Sequence, residues 1–404
     1  MTPAKERKPR LPFYLQILIG MAAGLAFGIF LPAWVPHVAW MGDVFIRLLK
    51  LIVIPLIFVS IVAGIVRLGE PKKLSGLGFS SVVYYLGTNA TAVFISLILV
   101  NLIRPGAGVK IFGTAPETAT PAFDILNFIP ENAAAALSRG DSLQIIFVAI
   151  LTGIGIMFIQ PKAATLSRLF EEGHELLLKI TGGLIRLAPL GVFGLLAKMA
   201  VDLDPSAYAG IGKFVLTLLL GLVIHGAIAL PLIFRLFSGR NLWAYFKAVQ
   251  PALLSAFSTS SSSATLPVTL ECVEKKAGVS KEISGFVLPI GATVNMDGTA
   301  MYEATACLFI AQALGMEMGL AQQLIIFFTA SLAAIGAAAI PSAGLVTLAL
   351  VLTAVGLPVE GIGFLLAIDR PLDMCPTVVN VWGDMVGCAV LEGKSGVKEK
   401  KGMP

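Results

Sequence analysis

Gly291-Ala292-Thr293-Val294-Asn295-Met296-Asp297-Gly298-Thr299, with Glu303 beyond it, sets a polar break inside an apolar run. Asn295 and Asp297 are two residues apart, so on an intact helix they point in different directions. Gly residues on both sides allow the helix to unwind locally, which would turn both side chains inward and free backbone carbonyls. Unwound carbonyls beside a carboxylate form a hard-oxygen site suited to a desolvated alkali cation. The competing reading is a kinked, water-bridged helix that holds no ion.

Outward from this stretch the chain is strongly apolar. Its 404 residues are 57% hydrophobic and 13% charged, with a mean hydropathy of +0.89. Soluble domains carry roughly 25% charged residues, and the high hydrophobicity also excludes disorder. Runs of about 20 apolar residues mark spanning helices. They are predicted at Leu11–Trp34, Val44–Leu68, Phe79–Ile103, Leu143–Ile159, a mixed stretch at Leu176–Val201, and Phe214–Phe237. The fold class is therefore an all-α polytopic membrane protein. A short re-entrant or broken helix is expected around Ala122–Leu137.

From Ala248 onward, uncharged stretches no longer match a spanning length. Ala248–Leu270 contains the run Ser255 through Thr265 and then Pro267. Met318–Val359 is 42 residues without a charge, interrupted by Gly336-Ala337-Ala338-Ala339-Ile340-Pro341-Ser342-Ala343-Gly344. Irregular backbone at membrane depth is tolerated only where protein buries it or it lines a cavity. Both segments read as re-entrant hairpins, each followed by a polar-studded helix. A matched pair of interrupted segments points to a transporter's binding site.

The second polar helix carries Asp369, Asp373, Thr377, Asn380 and Asp384, which fall on one face at 3.6 residues per turn. Carboxylates on an apolar helix are costly, so they are functional candidates. A solvated surface face is opposed by Leu365-Leu366, Val378-Val379 and Ala389-Val390.

Other chemistries find little support. The four cysteines show no CxxC pair and read as apolar packing residues. With only His37, His174 and His225, histidine-based metal or catalytic clusters are not encoded. A serine nucleophile in the Ser260–Ser263 run would need a nearby base, and His225 is the one mid-span candidate. Tip hydroxyls and amides that hold a substrate carboxylate are the favoured reading. Basic residues gather at both ends, in 5–10 and 394–401, which places both termini in the cytoplasm and makes the number of crossings even. These short clusters flank spans, so no nucleic-acid partner is expected, and the first apolar stretch is too long for a cleaved signal peptide.

Ser260-Ser261-Ser262-Ser263-Ala264-Thr265-Leu266-Pro267-Val268-Thr269, Asn295-Met296-Asp297-Gly298-Thr299, and Asp373 with Thr377-Val378-Val379-Asn380-Val381-Trp382-Gly383-Asp384 resemble the glutamate transporter family. That family covers dicarboxylate and amino-acid:cation symporters, among them archaeal aspartate transporters and neutral amino-acid exchangers. The resemblance implies eight transmembrane helices plus two re-entrant hairpins, inverted repeats, a homotrimer and an elevator-type mechanism. It divides the chain into a scaffold (11–74, spans 1 and 2; 111–205, spans 4 and 5) and a transport domain. The transport domain takes 76–110 (span 3) and 206–393 (span 6, hairpin 1, span 7, hairpin 2, span 8), and 394–404 form a cytoplasmic tail.

Residue by residue, Asp373 resembles the carboxylate that holds the substrate ammonium, and Asn380 the amide that holds its carboxylate. Ser261, Ser262, Thr299, Thr377, Pro376 and the backbone of Ile340 and Gly344 complete the implied pocket. Asp384 with Asn380, Asn295 and the Gly291 carbonyl resembles one sodium site. Carbonyls of Thr293, Met296, Ala334 and Ala337 resemble a second. Asp297 with Asn295, Tyr85, Thr88 and Asn89 resembles a third. Sodium is thus the coupling ion, with no other cofactor implied. Glu303 resembles the position where proton-coupled members carry a carboxyl. Burial among apolar neighbours disfavours a charged carboxyl, which makes Glu303 a candidate proton carrier.

Substrate charge is read from an absence. Acidic-substrate members place an Arg three residues after the Asp that binds the ammonium, where its fork grips a carboxylate. Here that position is Pro376, and two other such positions are Ser260 and Met374. Arg370 lies six residues before Pro376, about 600° around the helix and on another face. A small neutral amino acid such as serine, alanine or threonine is expected, with an acidic amino acid or dicarboxylate as the alternative.

Overall fold

The computed structural model describes residues 13–67, 76–109, 129–140, 142–160, 162–201, 206–336 and 343–395. They are all-helical, with no strand among them. In chain order the α-helices are α1 (Phe13–Phe30), α2 (Pro36–Arg67), α3 (Leu77–Ile103), α4 (Ala133–Arg139), α5 (Ser142–Phe158), α6 (Ala164–Ile185), α7 (Ala188–Ala200) and α8 (Ser206–Ile224). They continue with α9 (Leu230–Phe237), α10 (Leu242–Thr259), α11 (Ser262–Glu271), α12 (Lys281–Val294), α13 (Asp297–Ala313), α14 (Leu320–Gly336), α15 (Ala343–Ala354) and α16 (Ile362–Ser395).

Several boundaries differ from the sequence expectation. The second helix begins at Pro36 rather than Val44, because Pro at a first helical position is pre-set for the helix. The mixed stretch resolves into α6 and α7, whose axes bend by 53° at the break between them. Of the segment expected at Ala122–Leu137, the described part forms α4, capped by Asn132, whose Oδ1 accepts from Ala134 N at 2.8 Å. The tail from 396 onward lies outside the described residues, as do the hairpin-2 tip residues Ala337 and Ile340.

Among the described residues, three helical stretches are long and apolar enough to cross a membrane by length and composition: Leu77–Ile103, Ala209–Phe237 and Leu372–Gly393. The α6–α7 pair is a fourth if its bend is counted within one span. Large apolar side chains such as Phe79, Phe94, Leu102, Phe158, Leu216, Leu232, Leu320 and Phe328 stay exposed. Such a surface is costly in water and natural in hydrocarbon. The interior is an apolar core that also encloses polar residues, among them Asn295, Asp297, Glu303, Asn380 and Asp384.

Two groups of helices pack together. Helix α1 lies against α7, and α2 against α5, α6 and α7. Helix α13 sits among α3, α8, α14, α15 and α16, and every one of its residues except Gln312 is buried. The expected hairpins are present as helix pairs, α10 against α11 and α14 against α15. The first turns at Ser260, which adopts a left-handed conformation (φ 49°) and donates its N–H to Ala256 O at 2.9 Å. A non-Gly residue at positive φ is uncommon and marks a backbone held by its surroundings. Ser261 then caps α11, its hydroxyl accepting from Ala264 N at 3.1 Å.

Candidate functional site

The site is built where the break between α12 and α13 meets α3 and α16. The break falls at Asn295 and Met296, as the flanking glycines predicted. Asn295 has φ −87° and ψ 85°, and Met296 φ −116° and ψ 46°, both outside the helical region. Two glycines let α16 and the break approach closely, one at backbone and one at a side chain. A Cβ on Gly298 would sit 2.5 Å from the Pro376 carbonyl oxygen, and a Cβ on Gly383 2.6 Å from Asn295 Nδ2. Pro376 does not interrupt α16, which runs unbroken through it.

Five hydrogen bonds fasten the break and the first turn of α13 to α16. Asn295 Nδ2 donates to Asp384 Oδ1 at 2.9 Å and lies 3.2 Å from the Asn380 carbonyl. Gly298 N donates to Asn380 Oδ1 at 2.7 Å. The Asn380 amide nitrogen faces Thr299 Oγ1 at 3.2 Å and the Met296 sulfur at 3.3 Å. Asn380 and Asn295 thus each bridge two elements. The helical spacing puts Asp373, Thr377, Asn380 and Asp384 along one face of α16. Thr377 Oγ1 bonds back to the Asp373 carbonyl at 2.8 Å, and Asp373 itself is half-buried.

Asp297 and Asp384 are both buried, and among the described residues neither pairs with a Lys or Arg. Taking a carboxylate out of water is expensive without a compensating charge. Beside Asp297, the Thr88 hydroxyl is 3.2 Å from the Tyr85 carbonyl and 3.4 Å from both Asn295 Oδ1 and Asp297 Oδ1. A single hydroxyl proton cannot serve three acceptors. The neighbouring Asn89 is buried with neither side-chain polar atom partnered among the described residues. An oxygen-rich cluster short of positive charge can hold a hard monovalent cation. Of Tyr85, it is the carbonyl that faces this cluster. The Tyr85 hydroxyl instead donates to the Val287 carbonyl at 2.8 Å.

The other sequence candidates occupy varied places. The carbonyl of Gly291 accepts from Asn295 N at 2.8 Å and that of Met296 from Ala300 N at 2.9 Å, each keeping one further lone pair. Thr293 Oγ1 turns back to the Ile290 carbonyl at 3.0 Å. Ala334 is buried in the last turn of α14, where helical carbonyls lack intrahelical partners. Ser262 is buried at the start of α11. At the start of α15, Gly344 faces Thr299 and Tyr302, since a Cβ there would meet their atoms at 3.4 and 3.5 Å. Glu303 is fully buried and accepts from the Thr347 hydroxyl of α15, while its Oε2 has no partner among the described residues.

Sequence reasoning missed one participant. His225 was considered only as a base for a serine, yet its Nε2 lies 2.9 Å from Asp297 Oδ2. The contact spans 72 positions in sequence, so no local pattern reveals it. The available signal was a lone imidazole within the uncharged stretch 214–234.

Paired helical hairpins, a broken helix and buried carboxylates facing polar oxygens define the class of a helical membrane transporter. A sequence profile described as "Sodium:dicarboxylate symporter family" matches residues 13–394. The bovine (Bos taurus) "Neutral amino acid transporter B(0)" is 34% identical over 423 residues, covering 94% of this chain and 78% of that protein. "Excitatory amino acid transporter 1" of Ambystoma tigrinum is 33% identical over 413 residues, covering 87% of this chain and 76% of its own. "Excitatory amino acid transporter 3" of Mus musculus is 35% identical over 414 residues, with 88% and 79% covered. The chain belongs to the sodium:dicarboxylate symporter family. It is therefore a membrane transport protein of a sodium-coupled symporter family and not an enzyme.

Proposed function

We propose that this protein is a sodium-coupled symporter of a small neutral amino acid, of the serine, alanine or threonine type. The observation that carries the coupling is the shared use of Asn295 and Asn380. Asn295 joins Asp384 to the Thr88–Asp297 oxygen cluster, and Asn380 joins the backbone at Gly298 to Thr299. A cation at either carboxylate orders the same break that presents Thr299 and Asn380 to the substrate. Ordering by one ligand lowers what the other must supply, so affinities rise together and reciprocally.

In this reading Asp373 holds the substrate ammonium, and Asn380 and Thr299 hold its carboxylate beside the tip of hairpin 1. Asp384 and Asp297 each face a sodium ion, and the carbonyls around Met296 and Ala334 contribute a third position. Pro376, whose backbone packs on Gly298, stands where a guanidinium would serve an acidic substrate. A second buried substrate carboxylate without such a partner would cost several kcal/mol, which favours a neutral side chain. The names of the excitatory relatives keep an acidic amino acid as the second reading.

The remaining architecture follows the family resemblance: eight crossings, cytoplasmic termini, a cell-membrane location and a homotrimer. Helices α1, α2 and α4 to α7 form the scaffold, and α3 with α8 to α16 move as the transport domain in an elevator stroke. Uptake of radiolabelled alanine into proteoliposomes under an inward sodium gradient, with a panel of competitors, tests the substrate. Serine, alanine or threonine should compete. Strong competition by aspartate with none by serine or alanine would overturn the neutral assignment.

A further inference from the structure

His225 and Asp297 form a histidine–carboxylate pair, and both partners are fully buried. Its backbone explains how it arrives there. Residues His225–Ala229 form a single π-turn between α8 and α9, with the Leu230 N–H bonded to the His225 carbonyl. The extra residue per turn accommodates Pro231, which has no N–H to continue an α-helical ladder. The turn also frees the Gly226 carbonyl, and Trp382 Nε1 of α16 donates to it at 2.9 Å. Indole and bulge together fix where the imidazole points. Such single π-turns are frequent at functional sites.

The two oxygens of Asp297 are thereby divided. Oδ2 takes the imidazole at 2.9 Å, and Oδ1 faces Thr88 at 3.4 Å, on the side of Asn295 Oδ1. As an ionised cation ligand Asp297 only accepts, and in that state the imidazole Nε2 carries the shared hydrogen. Nδ1 has no partner among the described residues, so the ring's one polar task in this structure is to hold Asp297.

We propose that His225 is a positioning residue for the cation site at Asp297. It locks the carboxylate rotamer so that one oxygen is spent on the imidazole and the other is presented to the ion. The role rests on the reading of Asp297 as a cation ligand. Without the imidazole, the carboxylate gains a torsional freedom that ion binding must then remove, and its second oxygen is left unsatisfied in the interior.

The test is a sodium titration of the purified full-length protein in detergent without amino acid, read as the rise of Tm with sodium, together with uptake in proteoliposomes. His225→Leu should raise the half-saturating sodium concentration about tenfold, the scale of one hydrogen bond to a charged group, while maximal uptake at saturating sodium is retained. His225→Gln, whose Nε2 can occupy the same place, should restore the midpoint. If His225→Leu does not fold, His225→Asn, which is too short to reach Asp297, carries the same expectation of a raised midpoint. An unchanged or lower midpoint in the Leu or Asn variant, or a Gln variant that behaves like Leu, overturns the proposal. Asp297→Asn separates the two levels. If it leaves the sodium midpoint unchanged, the cation reading fails. If it shifts the midpoint while His225→Leu does not, only the role of His225 falls.

Discussion

Replacing Asp384 by Asn changes a buried charge while nearly preserving its shape. In the native protein Asp384 is 2% exposed and accepts from Asn295 Nδ2 at 2.9 Å. An asparagine can still offer its Oδ1 to Asn295, so the contact between the broken helix and α16 survives in neutral form. What disappears is the charge that would face a dehydrated cation. A hydrogen bond or contact to a charged group is worth about 1.5–3 kcal/mol net. At about 1.4 kcal/mol per decade, the half-saturating sodium concentration for uptake should rise about 10- to 150-fold. In sodium-free buffer the variant should be at least as stable as the wild type, because an uncompensated buried charge has been removed and its acceptor kept. The assay is initial-rate uptake across a sodium series, paired with Tm in sodium-free detergent. A wild-type sodium midpoint would refute the reasoning. So would a large loss of sodium-free stability, since that would make Asp384 a structural anchor rather than an ion ligand.

Further perturbations probe separate parts of the site. Thr88→Val removes the hydroxyl shared among three acceptors, and should weaken sodium dependence about fivefold, the scale of one neutral hydrogen bond; unaltered sodium dependence counts against the Thr88–Asp297 cluster. Gly298→Ala drives a methyl into the Pro376 backbone, which cannot yield as a flexible side chain would. It should cost about 1–3 kcal/mol, seen as a lowered Tm with loss of uptake. Glu303→Gln keeps an acceptor for Thr347 but no exchangeable carboxyl proton, so uptake should lose its pH dependence and keep its sodium dependence. If the pH profile is unchanged, Glu303 is not the proton carrier.

The parts of the site that could be read from sequence are those whose chemistry is local. The break at Asn295 and Met296 was legible because glycines flank two polar residues in an apolar run, and the face of α16 because its polar positions recur at helical spacing. The serine-rich hairpin was legible as a turn, but not its mechanism, in which Ser260 takes the left-handed position and Ser261 caps the next helix. Tertiary packing overrides the local preference of proline in α16, which continues through Pro371 and Pro376 as one helix. Long-range pairings were not legible at all. The bonds from His225 to Asp297, from Tyr85 to Val287 and from Trp382 to Gly226 each join positions 72 or more residues apart. Only the packed fold brings them together.

The central claim is that substrate and sodium bind through one shared break. It is tested most directly by measuring alanine affinity calorimetrically at several sodium concentrations, and sodium affinity at several alanine concentrations, on the same purified protein. The account predicts that each ligand tightens the other by the same factor, as linkage requires for two sites that order one element. Amino-acid affinity that is independent of sodium would contradict it.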